Sequence, residues 1–302
     1  TAMDGYPLAQ QGKAGVALDV ALKASVFGGL FSALVLLVAA PQVANFALTF
    51  SAVEYFSLAL FGLTIISSIS GNNQIKGLIA GMLGLLVSCI GTDPINGTSR
   101  FIFQVQLLSG VDVIPAMIGL FAITEIISKS TSVYRSEGEV QKFSNKGIST
   151  KEFWSMWPNL LRSSAIGTFI GAVPGTGATT SSFLAYNEAK RASKHKEMFG
   201  KGSLEGIAAS ESANNGVTGA TLIPLLTLGI PGDTVTAILL GAFMMQGITP
   251  GPLLISTHPE TIYTIMLSLI LVNLFMLLQG KFFVRIFANV TKIPVVLLIP
   301  LL

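Results

Sequence analysis

The run Gly171-Ala172-Val173-Pro174-Gly175-Thr176-Gly177-Ala178-Thr179-Thr180 lies inside an apolar stretch of roughly residues 158–187. No other feature narrows the possible folds as much. Pro174 removes a backbone donor and clashes with a helical turn, and Gly175 and Gly177 free the chain from ordinary backbone limits. A helix must therefore break within a segment apolar enough to enter lipid. Broken backbone is tolerated at that depth only where it is buried in protein or lines a polar cavity. The hydroxyls of Thr176, Thr179, Thr180, Ser181 and Ser182 crowd the same place. The expectation is a binding site at mid-membrane depth, built from broken helix ends.

Composition fits that setting. Half the residues (51%) are hydrophobic and 11% are charged, against about a quarter charged in soluble domains. Mean hydropathy is +0.70. The 31 glycines also suit membrane helices. A single cysteine, Cys89, rules out an internal disulfide. Net charge is only +3, and nothing points to nucleic acid. The sequence starts without Met and stops inside an apolar run, so a segment of a longer protein is expected.

Residues 1–15 read as polar, with Asp4, Gly5 and Pro7 as turn formers. Spans are expected over about 19–40, ended by Pro41, and over 53–70, 75–91 and 107–127, near the ~20 residues that a crossing helix needs. Gly77, Gly81 and Gly84 on one face of the third span suit close packing. Polar connectors follow at 128–157 and 188–205. They carry Lys129, Arg135, Lys142, Lys146 and Lys151, then Lys190, Arg191, Lys194, Lys196 and Lys201, more than half of the 18 Lys and Arg. Positive residues mark the cytoplasmic side. The segment between these connectors must then leave and return on one side, and about 30 residues are too few for two crossings. A re-entrant hairpin with Pro174-Gly175 at its tip satisfies both constraints.

Residues 206–247 show two further interruptions, Glu211-Ser212-Ala213-Asn214-Asn215-Gly216 and Gly229-Ile230-Pro231-Gly232-Asp233-Thr234. A last full span covers about 261–280. Pro-Gly recurs at Pro174-Gly175 and Pro231-Gly232, with a weaker copy at Pro250-Gly251. Paired interrupted segments point to a transporter site. The fold class is an all-α polytopic membrane protein whose transmembrane helices include a re-entrant hairpin and discontinuous helices, of the inverted-repeat secondary-transporter type. Residues 1–127 form a four-helix scaffold region, 128–157 a cytoplasmic connector, 158–256 the transport-site region, and 257–302 the last helix and the start of another.

Half-helix N-termini offer free N–H groups and a positive dipole end to an anion. Pro174, Gly175, Thr176, Gly177 and Thr179 at the first break, and Pro231, Gly232 and Thr234 at the second, are the candidate substrate residues. A packing kink is the other reading of one Pro-Gly; two, each followed by small hydroxylic residues, favour a site. Glu211, Asn214 and Asn215 are polar groups within an apolar segment, where ionisable residues are costly and functional by default. They are the candidate ligands of a coupling ion, Na⁺ or H⁺, against the reading of an interfacial helix start. Asp233 could join them, or cap the helix that follows. Arg162 can snorkel to the inner interface. Glu125 reads as a solvated helix end, Asp112 is ambiguous, and His195 and His258 do not look like metal ligands. No metal beyond a Na⁺ at the coupling residues, no organic cofactor and no nucleotide-binding loop is expected.

Several stretches resemble the large membrane subunit (TctA type) of tripartite tricarboxylate transporters: Gly171 to Gly177, Tyr186 with Lys190 and Ser193, Phe199-Gly200-Lys201-Gly202, Glu211 to Asn215, Leu222-Ile223-Pro224, Leu228 to Gly232, and Gly247 to Pro252. Asp4-Gly5-Tyr6-Pro7, Glu54-Tyr55-Phe56 and Arg100-Phe101 resemble it too. The resemblance implies ion-gradient-driven import of a carboxylate such as citrate across the bacterial inner membrane. It also implies a small membrane subunit (TctB type), a periplasmic solute-binding protein (TctC type), and a longer chain whose N-terminal part carries a matching Pro-Gly hairpin. A stand-alone organic-anion carrier is the alternative. An intramembrane enzyme is a remote one, since no nucleophile pair or metal set accompanies Glu211 or Asp233.

Overall fold

The computed structural model describes residues 2–51, 53–54, 56–57, 60, 74–92, 97–111, 115–116, 119–120 and 147–290. Most of the expected second span, most of the fourth span beyond residue 111 including Asp112 and Glu125, the connector at 128–146 and the apolar end at 291–302 lie outside them.

The described chain is almost wholly helical. Helix α1 covers Ala2–Gln10 and α2 covers Ala14–Ala47. Residues 1–15 were expected as a polar lead with turn formers, yet Ala2–Gln10 form α1 with Pro7 inside it. Pro41 does not end the first span either: α2 runs through it. A proline costs the helix one hydrogen bond, and here buried Leu36 and Ala40 on one side and Ala44 and Ala47 on the other hold the helix together.

Helix α3 is Gln74–Ser88, followed by the antiparallel pair β1 (Gly91–Thr92) and β2 (Ser99–Arg100) and a 3-10 turn at Val105–Ser109. The pair is a small strand element in an otherwise helical fold. Gly84, expected in a tight helix contact, has nothing within 4 Å of where a Cβ would stand among the described residues.

Next come α4 (Thr150–Ser155), α5 (Trp157–Gly171) and α6 (Gly177–Ala192). Pro158 opens α5, where a missing N–H costs nothing. Helices α5 and α6 pack side by side as the two arms of a hairpin whose turn holds Pro174. Beyond a 3-10 turn at Lys196–Met198 lie α7 (Leu204–Ala220), α8 (Leu222–Leu228), α9 (Thr234–Met245), α10 (Leu254–Thr257) and α11 (Pro259–Val290). Helix α11 passes beyond Gly280, the expected end of the last span; there Leu22 packs where a Cβ would stand.

Helix α7 is the axle, packed on α2, α5 and α6. One apolar cluster gathers Val20, Ala24, Phe153, Leu160 and Ile207. Another gathers Leu36, Leu222, Leu225, Leu226, Ile262 and Met266. Between them the helices meet through small residues: Gly28 of α2 against the Ser212 carbonyl, and Gly167 of α5 against that of Ala213. A Cβ at either glycine would collide, so backbone approaches backbone as in packed membrane helices. The outer faces are apolar. Leu267, Leu271, Phe275 and Leu278 of α11 and Phe169 of α5 are exposed. By length and composition, 14–47 and 259–283 can each cross a bilayer.

Candidate transport site

At the first break α5 ends at Gly171, and the chain turns through Ala172–Thr176 before α6 restarts at Gly177. Gly175 (φ 85) and Gly177 (φ 71) occupy the left-handed region that favours glycine. The Thr176 hydroxyl donates to the Ile170 carbonyl at 2.6 Å and to that of Val173 at 2.9 Å. It thus closes the end of α5 and is not spare as a donor. No side chain caps α6, and a helix's first N–H groups have no partner within it.

At the second break α8 ends on left-handed Gly229 (φ 72). Asp233 caps α9 in a capping box: its carboxylate accepts from the Thr236 N–H at 2.8 Å, and the Thr236 hydroxyl accepts from the Asp233 N–H at 2.9 Å. The capping role weighed for Asp233 is therefore the one this geometry displays.

The two breaks touch. The Gly175 N–H donates to the Gly232 carbonyl at 2.8 Å. The third Pro-Gly joins them, since the Gly251 N–H donates to the Leu226 carbonyl at 3.2 Å. All three elements thus converge around α8.

The interruption expected at Glu211–Gly216 is absent, because α7 is continuous from Leu204 to Ala220. Asn and Gly lower helix propensity, but tertiary burial overrides such preferences. Ser212, Ala213, Gly216 and Val217 are all buried, and Gly216 packs against the Ser164 carbonyl of α5. Glu211 therefore sits within a helix rather than at its start. Its carboxylate accepts from the Ser25 hydroxyl of α2 at 3.0 Å. Asn215 donates its amide to the Glu211 carbonyl at 3.1 Å, which engages it within its own helix.

Glu211, Asn214 and Ser210 line a pocket of about 290 Å³ together with Thr179 and Ser182 of α6. Met3 of α1, with Phe183 and Tyr186, completes its wall. That volume is at the small end for ligand sites. The structure thus brings Thr179 together with Glu211 and Asn214. Asp233 and the other break residues do not line this pocket. Arg162 lies 3.8 Å from Glu188 across the hairpin arms. A larger hollow of about 690 Å³, lined in part by Lys13, Glu152, His195 and Glu205, contains none of the candidates. Among the described residues no group of three or more His, Cys, Asp or Glu side chains comes together.

Sequence reasoning missed Ser25 and Ser210 as pocket-side groups, whereas Ser182 was already among the hydroxyls noted at the first break. A lone serine in an apolar run carries no signal, though Ser25, Gly28 and Ser32 recur at helical spacing on α2, on the face that meets α7.

Long apolar helices that meet through small residues fit the class of α-helical membrane proteins. The chain matches the family described as the tripartite tricarboxylate transporter TctA family over residues 1–302, and it belongs to that family. An Agrobacterium vitis protein described as "Uncharacterized 52.8 kDa protein in TAR-I ttuC' 3'region" is 37% identical over 301 residues, 99% of this chain and 60% of its own length. A second from the same organism, "Uncharacterized protein in TAR-II ttuC' 3'region", is 40% identical over 134 residues, 44% of this chain and 55% of its own. The chain thus spans well under two thirds of these relatives. No solved structure matches.

Proposed function

We propose that this chain supplies the site region of a secondary transporter that imports a tricarboxylate or related carboxylate across the bacterial inner membrane. The hydrogen bond from Gly175 to Gly232 carries the reading, because it joins two helix breaks that are separate in sequence. The uncapped start of α6, at Gly177 to Thr179, meets the substrate carboxylate, and Pro231 and Gly232 form the facing wall. Glu211 takes the coupling cation, a proton or a Na⁺, with Asn214 and the Ser25 hydroxyl beside it. Ten residues along α7 place Asn214 about 15 Å from its start, roughly half of a ~30 Å hydrocarbon core. The α5–α6 hairpin is then re-entrant, and its basic flanks are cytoplasmic. Because α2 meets α7 at Gly28 and Ser25, α2 travels with the site region, and the scaffold is drawn from the other early spans. A small membrane subunit and a periplasmic solute-binding protein complete the system.

The test is uptake of radiolabelled citrate into proteoliposomes holding the whole large and small subunits, with Na⁺ and pH gradients imposed separately. Uptake should require the binding protein and one of the two gradients. Glu211→Gln should lower gradient-driven uptake by about tenfold or more, the effect of losing one hydrogen bond to a charged group. Equal uptake without the binding protein would identify a stand-alone carrier instead.

A further inference from the structure

We propose that α1 is a gate over the cytoplasmic mouth of the Glu211 pocket, latched by Asp4; the proposal rests on the reading of that pocket given above. Asp4 is a carboxylate with 1% of its surface exposed, on a nine-residue helix. Its Oδ1 accepts three backbone N–H bonds, from Gly200 at 2.8 Å, Gly202 at 2.9 Å and Ser203 at 2.8 Å. Gly200 and Gly202 have φ of 85 and 110, which turns successive N–H groups inward as an anion-binding nest. The nest leads directly into α7 at Leu204, so the helix that carries Glu211 begins where the latch closes. Gly206 lies against Asp4 Oδ2 and against the Tyr186 ring edge, positions a Cβ would fill.

Two further contacts, one from within α1 and one from the residue after it, hold the same segment. The Gln11 amide donates to the Lys201 carbonyl at 2.8 Å, and buried Leu8 packs beside Gly202. Gly12 (φ 77), with open space where a Cβ would stand, separates α1 from α2. Five residues before Leu8, Met3 forms a wall of the pocket. A charged latch at one point, a hinge at the other end and an apolar side chain over the pocket are the parts of a gate. Opening needs Asp4 to leave its nest and the chain to turn at Gly12; Met3 then clears Ser210 and Glu211.

A single cysteine at buried Ser210, in a background with Cys89 and any other native cysteine replaced, reports the opening. A membrane-impermeant maleimide is applied to the cytoplasmic face of inside-out vesicles. Asp4→Asn should raise its labelling rate about tenfold, as expected from weakening hydrogen bonds to a charged group. In a second variant, Met3→Cys with Phe183→Cys, oxidation should join the two and stop citrate uptake, and a reductant should restore it. An unchanged labelling rate, a cross-link that does not form, or uptake indifferent to a formed cross-link would each overturn the gate. Absence of uptake before oxidation would instead count against the transport reading, and the labelling arm would still judge the gate.

Discussion

The two Pro-Gly breaks share a sequence motif and differ in their electrostatics. At the second, the helix that restarts is already served: the Asp233 carboxylate occupies the N-terminus of α9, and Thr236 returns the bond. At the first, the polar side chain faces backwards. Thr176 spends its hydroxyl on the carbonyls ending α5, and α6 begins with no side-chain cap. One break thus brings its own anion, and the other leaves a helix start available to a visitor. A Pro-Gly pair locates a break, while the next side chain decides whether the exposed helix end is filled. In the proposed function the substrate carboxylate is therefore assigned to α6, and the second break to a wall joined to it through Gly232.

The contact between the breaks is the most sensitive point. A Cβ on Gly232 would stand 3.0 Å from the Thr221 Cβ. Gly232→Val should therefore cost about 3 kcal/mol through overpacking and separate the breaks, read as a lowered thermal unfolding midpoint in detergent with loss of uptake. The left-handed glycines should then rank the two breaks by their surroundings. Gly229 would put a Cβ 3.0 Å from the Pro250 carbonyl oxygen, whereas Gly177 would meet nothing within 4 Å. Gly229→Ala should cost about 2 kcal/mol and Gly177→Ala about 1 kcal/mol, the second from left-handed backbone alone. Equal costs would mean that the first break is as tightly enclosed as the second.

Much of this was legible in the sequence because proline and glycine act locally. The hairpin turn at Pro174 and the break at Pro231 lie where the residues put them. Other local signals failed where burial outweighed them. Asn214-Asn215-Gly216 reads as a breaker, yet α7 is continuous because its small residues let α2 and α5 close around it. Pro41 likewise reads as a helix end and Pro7 as a turn former, and both sit inside helices. Asp4 reads as a turn former and is a buried ligand of a loop about 200 residues away. Such pairings depend on long-range contacts that no local pattern records. The site was half visible: Glu211, Asn214 and Thr179 stood out as polar groups in apolar sequence, whereas Ser25 became recognisable only once α2 lay on α7.

The sharpest trial of the comparison exchanges the charges of the two breaks at nearly constant volume. Thr176→Asp would place a fixed carboxylate at the open start of α6, where it caps the helix and competes with any anion arriving there. Citrate uptake should fall about tenfold, equivalent to ~1.4 kcal/mol of lost binding. Asp233→Asn removes the charge at α9 but keeps a capping side chain, since Asn and Asp cap about equally well. Uptake should then stay within about twofold and stability within about 0.5 kcal/mol, the scale of a helix-dipole term near a surface. If Asp233→Asn proves the more damaging to uptake, its carboxylate serves the coupling cation and the assignment of the two breaks must be reversed. If neither variant changes uptake, the anion passes by another route and the open start of α6 is a consequence of packing alone.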